Sequence, residues 1–143
     1  MPNLVNIRKL VVVLESGLFP QTKSWLHTDE GFCCLGVASE LCRQDNPEIY
    51  HWARNINGHF EFVTPLGNSL GSLPVATAEW LGLEPTTPIR LGSQVLQKPI
   101  MPSDLDLVGP DGKELRASQM NDDGKSFAEI AAAIRRTFPE AFQ

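Results

Sequence analysis

Two short segments, far apart in the chain, each have the pattern of a helix start that carries polar or reactive side chains. The first covers residues 32–37 with the sequence FCCLGV, and the second covers residues 120–130 with the sequence MNDDGKSFAEI. In the second segment, Ser126 and Glu129 have the S-x-x-E spacing of a capping box, which predicts a helix that begins there. We therefore expect the two segments to form either one binding site or one rigid corner of the fold.

The spacing of apolar residues predicts three main helices. The N-terminal helix begins after a cap at Asn3 and ends at Gly17, the second covers residues 33–43, and the C-terminal helix runs from Ser126 to Pro139. A shorter helix is expected between Pro74 and Gly82.

The second helix has one continuous apolar stripe, and four residues are expected on its other side, namely Gly36, Ser39, Glu40 and Arg43. Glycine within a helix costs about 1 kcal/mol relative to alanine, so Gly36 predicts a close approach by another backbone.

The remaining segments predict short strands and turns. A strand is expected at residues 24–28, one hairpin at residues 59–70 and a second hairpin at residues 106–117. Residues 84–102 contain four prolines and little periodicity, which predicts an irregular covering loop. The expected fold is a single compact α+β domain over residues 1–143, with three main helices packed on a small antiparallel sheet of hairpins.

Composition excludes several classes of protein. The formal net charge is −5, so nucleic acid is not an expected partner. The longest aliphatic run, residues 10–14, is far shorter than the ~20 residues of a membrane span, so we expect no membrane association. Three cysteines that cannot easily pair indicate a reducing compartment, so a cytoplasmic protein is expected, in the host bacterium if a phage encodes it.

Candidate chemistry is sparse. Cys33 would lie at a helix start, where free N–H groups favour a thiolate, so it is the catalytic candidate if the protein is an enzyme. Its alternative role is that of a small buried apolar residue. Adjacent cysteines and scattered histidines do not match zinc spacing, and no metal site or cofactor is expected.

Two groups of residues are candidates for ligand binding. Residues 51–60 mix aromatic, amide and basic side chains in an expected loop, a combination that suits stacking on a flat ring. At the second helix start, a lysine beside free N–H groups suits an anion, although a purely structural capped turn would have the same sequence. The candidates are Trp52, Arg54, Asn55, Asn57, His59, Asn121, Lys125 and Ser126.

The segments FCCLGVASELC and MNDDGKSFAEIAAAIRR together resemble those of a family of small bacteriophage and prophage proteins. A more distant similarity is to an actinobacterial domain with Cys-x-Leu-Gly and Asn-Asp signatures. The resemblance includes an intermediate segment at residues 73–83 but not residues 84–102. It implies a phage context and carries over no catalytic residues.

In that context, the leading hypothesis is a non-enzymatic accessory protein that binds a small ligand, such as a nucleotide-derived defence signal that it sequesters. One alternative is an interaction factor that inhibits a host enzyme, with an exposed apolar patch around the proline-rich segment. Another is a cysteine-dependent hydrolase or transferase. A homo-oligomer is compatible with each of these hypotheses.

Overall fold

The N-terminal helix begins and ends where the sequence predicts. The Asn3 side chain accepts a hydrogen bond from the Asn6 N–H, and Gly17 ends the helix in the left-handed conformation. The computed structural model describes residues 1–86 and 88–143. In chain order its helices are α1 (Leu4–Ser16), α2 (Cys34–Asp45), α3 (Val75–Trp80), α4 (Ala117–Asp122) and α5 (Phe127–Thr137), followed by a 3-10 turn at Pro139–Phe142. Its strands are β1 (His27–Thr28), β2 (Gly31–Phe32), β3 (His51–Arg54), β4 (His59–Thr64), β5 (Gly67–Ser69), β6 (Ile89–Leu91), β7 (Gln94–Gln97), β8 (Asp106–Val108) and β9 (Glu114–Arg116).

These elements form the expected single α+β domain, in which α1, α2 and α5 are the sizeable helices and the sheets are antiparallel. Helix α2 lies at its centre and contacts α1, α3, α4 and β2. The prediction that α2 has only one buried stripe is wrong. On its other side Gly36, Ser39 and Glu40 are also buried, and Arg43 is half-buried. The sequence pattern missed this because the helix is surrounded on several sides, so its polar groups must find partners inside the protein.

Those partners are present. The Ser39 hydroxyl donates to the Leu35 carbonyl and accepts from Thr77. Burial alone would raise the pKa of the Glu40 carboxyl, but hydrogen bonds from Arg43 and two further side chains outweigh burial and leave that pKa below its usual value. Over residues 34–42, helix α2 is therefore buried on every side, whereas its last turn is more exposed.

Gly36 confirms the predicted close approach of a second backbone. A Cβ atom at this position would lie 1.7 Å from the Leu26 carbonyl oxygen and 2.6 Å from its carbon. The backbone of Leu26 is held there because its N–H donates to Leu70 and its carbonyl accepts from Cys33. Only glycine fits at this crossing of α2 with the segment that enters β1.

The main sheet has the order β2-β1-β4-β3, and β5 pairs with the second half of β4. Two strand predictions need correction. Only the last two residues of the segment 24–28 form a strand, and residues 51–54, expected within a loop, form β3. Strand β3 was missed because most of its side chains are exposed, so it lacks the apolar alternation of a half-buried strand.

The segment 84–102 is not an irregular covering loop, because it contains the hairpin of β6 and β7. All seven residues of these two strands are exposed. In contrast, the hairpin predicted at residues 106–117 is confirmed as β8 and β9, and it leads directly into the short helix α4, where a turn was expected. No helix within residues 1–86 and 88–143 is long and apolar enough to cross a membrane.

Candidate functional site

The two helix starts that stand out in the sequence meet through one buried side chain, Asn121. Its Oδ1 accepts from the Cys34 N–H at 3.2 Å and from Gln21 Nε2 at 3.0 Å. Its Nδ2 donates to the Thr22 carbonyl at 2.7 Å. Since the residue is fully buried and both amide atoms are bonded, Asn121 is a structural link rather than a ligand contact.

Gln21 completes this link at the start of α5. Its Nε2 also donates to the Lys125 carbonyl, and its Oε1 accepts from the Phe127 N–H. Ser126 caps the same helix by accepting from the Glu129 N–H at 3.1 Å. We name the connection formed by Gln21 and Asn121 the corner. Of the two alternatives expected from the sequence, one binding site or one rigid corner, these hydrogen bonds favour the corner, because they join the two helix starts.

Cys33 belongs to the same joint. Its sulfur accepts a hydrogen bond from the Gly36 N–H at 3.4 Å and caps α2. Burial raises the pKa of the Cys33 thiol to about 11, even though the hydrogen bonds from the helix start lower it. A thiol that is 5 % exposed and protonated at neutral pH is a poor nucleophile. This geometry argues against the cysteine-dependent enzyme.

Three of the candidates in the segment 51–60 also have structural partners. The Trp52 indole donates to the Glu40 carboxylate at 3.0 Å, facing α2. Both carboxylate oxygens of Asp29 accept from Arg54, which holds the pKa of that carboxyl below its usual value. The Asn55 side chain accepts two backbone N–H groups and fixes the turn between β3 and β4.

The other two candidates in that segment line a small pocket. The imidazole of His59 stacks on the indole of Trp25, with ring centroids 4.3 Å apart and planes inclined by 24°. The turn at Asn57 adjoins the turn between β1 and β2 because the Asp29 N–H donates to the Gly58 carbonyl at 3.1 Å. The cavity has a volume of about 230 Å³ and is lined by Thr22, Trp25, Thr28, Asp29, Glu30, Asn57, Gly58 and His59. We name it the Trp25–His59 pocket.

A strained backbone position places Trp25 in this pocket. Ser24 has a φ of 73°, the left-handed region that non-glycine residues rarely adopt. Its N–H donates to the Asp122 carboxylate at 2.8 Å, which holds the chain in this conformation. Strained positions are concentrated at functional sites, where the surrounding structure maintains them. Asp122 lies beside the corner, so the second helix start acts on the pocket indirectly by positioning Trp25.

The residues around the aromatic stack carry side-chain oxygens that accept hydrogen bonds, and the threonine hydroxyls and the Asn57 amide can also donate. Two threonine hydroxyls, the Asn57 amide and the carboxylates of Asp29 and Glu30 line it. Arg54 neutralises Asp29, whereas Glu30 is in no ion pair with any residue that the structure describes. The pocket therefore suits a flat, donor-rich ring better than a phosphate, which the Glu30 carboxylate would repel.

Lys125 lines a different cavity. This groove of about 570 Å³ lies between the β8–β9 hairpin and α5 and contains the apolar side chains of Leu115 and Met120. Its charged residues are Asp111, Lys125, Glu129 and Arg136. Asn57 and His59 line one cavity and Lys125 lines another. The candidate residues therefore do not form the single site that was expected.

The sequence did not identify Thr22, Trp25, Thr28, Asp29 and Glu30 as candidates. A signal was present, because an aromatic residue precedes a hydroxyl and two carboxylates in a short strand and turn. Among the residues that the structure describes, no three His, Cys, Asp or Glu side chains are grouped to hold a metal ion.

These features define a single-domain α+β protein in which two hairpin turns and a strained loop enclose a polar pocket. Residues 5–138 match the model of a family described as Domain of unknown function (DUF8296), and the chain belongs to that family. The matched range includes both the corner and the pocket. No curated protein and no solved structure matches the chain significantly.

Proposed function

We propose that this protein is a non-enzymatic phage accessory protein that sequesters a nucleotide-derived defence signal by binding its base in the Trp25–His59 pocket. The observation that carries the proposal is an aromatic stack that borders a cavity rich in acceptors. The resemblance to phage and prophage proteins supports the biological setting, and the buried Cys33 thiol supports a role without covalent catalysis.

The pocket favours a particular part of a nucleotide. Ligand pockets for drug-sized molecules usually measure about 300–1,000 Å³, so about 230 Å³ suits a base with part of its ribose. Guanine presents a ring N–H and an exocyclic amine along one edge, and a carboxylate such as Glu30 can accept from both. The phosphates would remain outside, away from the two carboxylates.

Calorimetric titration with guanosine, adenosine, cytidine, uridine and their 5′-monophosphates tests this proposal. We expect guanine compounds to bind best, with little gain from the phosphate. Base–aromatic stacking contributes about 1–3 kcal/mol, so Trp25→Ala should weaken binding by roughly 5- to 150-fold. Trp25→Phe should retain most of the affinity because a stacking ring remains.

Glu30→Gln should weaken the preference for guanosine, because the amide has one acceptor oxygen and its NH2 group would face one of the two N–H donors of the base. Glu114→Gln, which changes an exposed carboxylate of β9 outside the pocket, is the matched control and should bind like the wild type. The proposal is wrong if no member of the panel binds, or if Trp25→Ala binds as tightly as the wild type.

A further inference from the structure

The hairpin of β6 and β7 presents apolar side chains directly to solvent. We name residues 88–100 the arm. Five of its aliphatic residues are 42–68 % exposed, namely Ile89, Leu91, Val95, Leu96 and Ile100. Together they present roughly 500 Å² of apolar surface, a total comparable to the largest patch on a monomeric protein. The surface is divided between the two faces of the hairpin, because Val95 pairs with Arg90 and lies opposite the face of Leu91. An isolated two-stranded hairpin is also only marginally stable in water, so a surface that covers the arm would stabilise it.

The two ends of the arm are nevertheless joined to each other. Its base is tied by two hydrogen bonds, from the Thr86 N–H to the Ile100 carbonyl at 2.8 Å and from the Ile100 N–H to the Thr86 hydroxyl at 3.0 Å. Two prolines precede the first strand and two follow the second, and proline restricts the backbone of these connecting segments. After the arm, Met101 returns to the hydrophobic core. A hairpin whose connecting segments are restricted in this way is suited to docking on another protein surface.

The arm and the rest of the chain carry opposite net charges, and this difference favours one kind of partner. The arm contains Arg90 and Lys98 and no acidic residue, so its formal charge is +2. Because the whole chain carries −5, the remainder carries −7. A basic, apolar arm on an acidic body is complementary to the body of an identical molecule.

We propose that the arm docks on the body of a second copy of this chain, and that two copies exchange arms reciprocally in a two-fold symmetric dimer. Reciprocal exchange buries both arms, which together contribute roughly 1,000 Å² before the covered surfaces are counted, enough for an interface of standard size. The Trp25–His59 pocket contains no arm residue, so this proposal is independent of the proposed ligand.

Sedimentation equilibrium of the full chain tests the proposal at protein concentrations up to about 200 µM, which detects dissociation constants in the micromolar range. We expect twice the chain mass of 15.8 kDa for the wild type. Leu91→Ser combined with Leu96→Ser should give the mass of a monomer, and so should Arg90→Glu combined with Lys98→Glu. Higher salt should also weaken the dimer, since opposite charges attract across the interface.

The matched control is Ile56→Ser combined with Leu66→Ser, which removes two aliphatic side chains that are 98 % and 74 % exposed outside the arm. It should remain a dimer. Circular dichroism should show that all variants are folded, because every substituted side chain is exposed. A monomeric wild type overturns the proposal, as does a dimer that persists in both arm variants. A wild type that is monomeric alone and captures a host protein through the arm also overturns it, in favour of the interaction factor.

Discussion

Replacing Gly36 by alanine tests the central packing contact of the fold. The added methyl carbon would lie 1.7 Å from the Leu26 carbonyl oxygen, whereas carbon and oxygen atoms in contact are normally about 3.3 Å apart or more. The two backbones would therefore have to separate by roughly 1.5 Å. Leu26 cannot retreat freely, because its N–H is bonded to the Leu70 carbonyl at 3.0 Å.

Three contributions set the expected change in the free energy of unfolding. Overpacking costs about 1–3 kcal/mol. Loss of the 3.1 Å hydrogen bond from the Cys33 N–H to Leu26 adds about 1–3 kcal/mol if the groups remain buried. Alanine returns about 1 kcal/mol through its higher helix propensity. The net loss is roughly 1–5 kcal/mol, which corresponds to a melting temperature lower by roughly 3–20 °C for a domain of this size.

Guanidinium unfolding followed by circular dichroism measures this loss. Gly71→Ala is the matched control, because the new carbon would meet only the Ser24 carbonyl oxygen, at 3.3 Å. It should change stability by less than about 1 kcal/mol. If Gly36→Ala unfolds at the same or a higher denaturant concentration than the wild type, helix propensity dominates and the contact with Leu26 does not require glycine at position 36.

Two further substitutions examine the corner and the thiol. Asn121→Ala leaves the Cys34 N–H and the Thr22 carbonyl without a buried partner, so denaturation should show a loss of about 2–4 kcal/mol. Asn68→Ala, which removes an exposed amide, should be nearly neutral, and equal effects of the two would contradict the structural role of Asn121. Cys33 should react with iodoacetamide at pH 7.5 only in denaturant, because its thiol is buried with a pKa of about 11. Its pKa is raised by folding, so this contribution to stability is complete below about pH 9 and is lost between about pH 9 and 11, where the unfolded thiol ionises first. Cys33→Ser should reduce that decline but not abolish it, because burial also raises the pKa values of Cys34 and Cys42. Rapid alkylation of Cys33 in the native protein would contradict its assignment as a buried, protonated thiol.

Local sequence signals predicted much of the fold. The cap at Asn3, the stop at Gly17 and the apolar stripe of α5 act within a few residues, so their helices were predictable. The prediction from Gly36 also succeeded, because glycine in a helix interior needs a steric reason. The β8–β9 hairpin was predictable because its turn and strand signals also act within a few residues.

The candidate site was less predictable, because distant partners create it. Trp25 enters the pocket through the conformation of Ser24, which depends on Asp122, a residue 98 positions away. Asn57 and His59 were predicted and do line the pocket, whereas Trp52 faces α2 through a bond to Glu40. Short polar strands such as β3 resemble loops in sequence, so the face on which each side chain lies could not be assigned.

The corner also has a consequence for the order of folding. The hydrogen bond between Gln21 and Asn121 closes a loop of 100 residues, and the cap that Asn121 provides for α2 spans 87 residues. Closing a loop of this length costs conformational entropy that the contacts must offset. Cys33 caps α2 locally, but the Cys34 N–H at the same helix start gains its Asn121 partner only when the last third of the chain is present. During synthesis, the first two thirds of the chain therefore leave the ribosome before the corner can form. We expect the domain to acquire its native stability in one late, cooperative step, when α4 packs on α2 and α5 packs on α1.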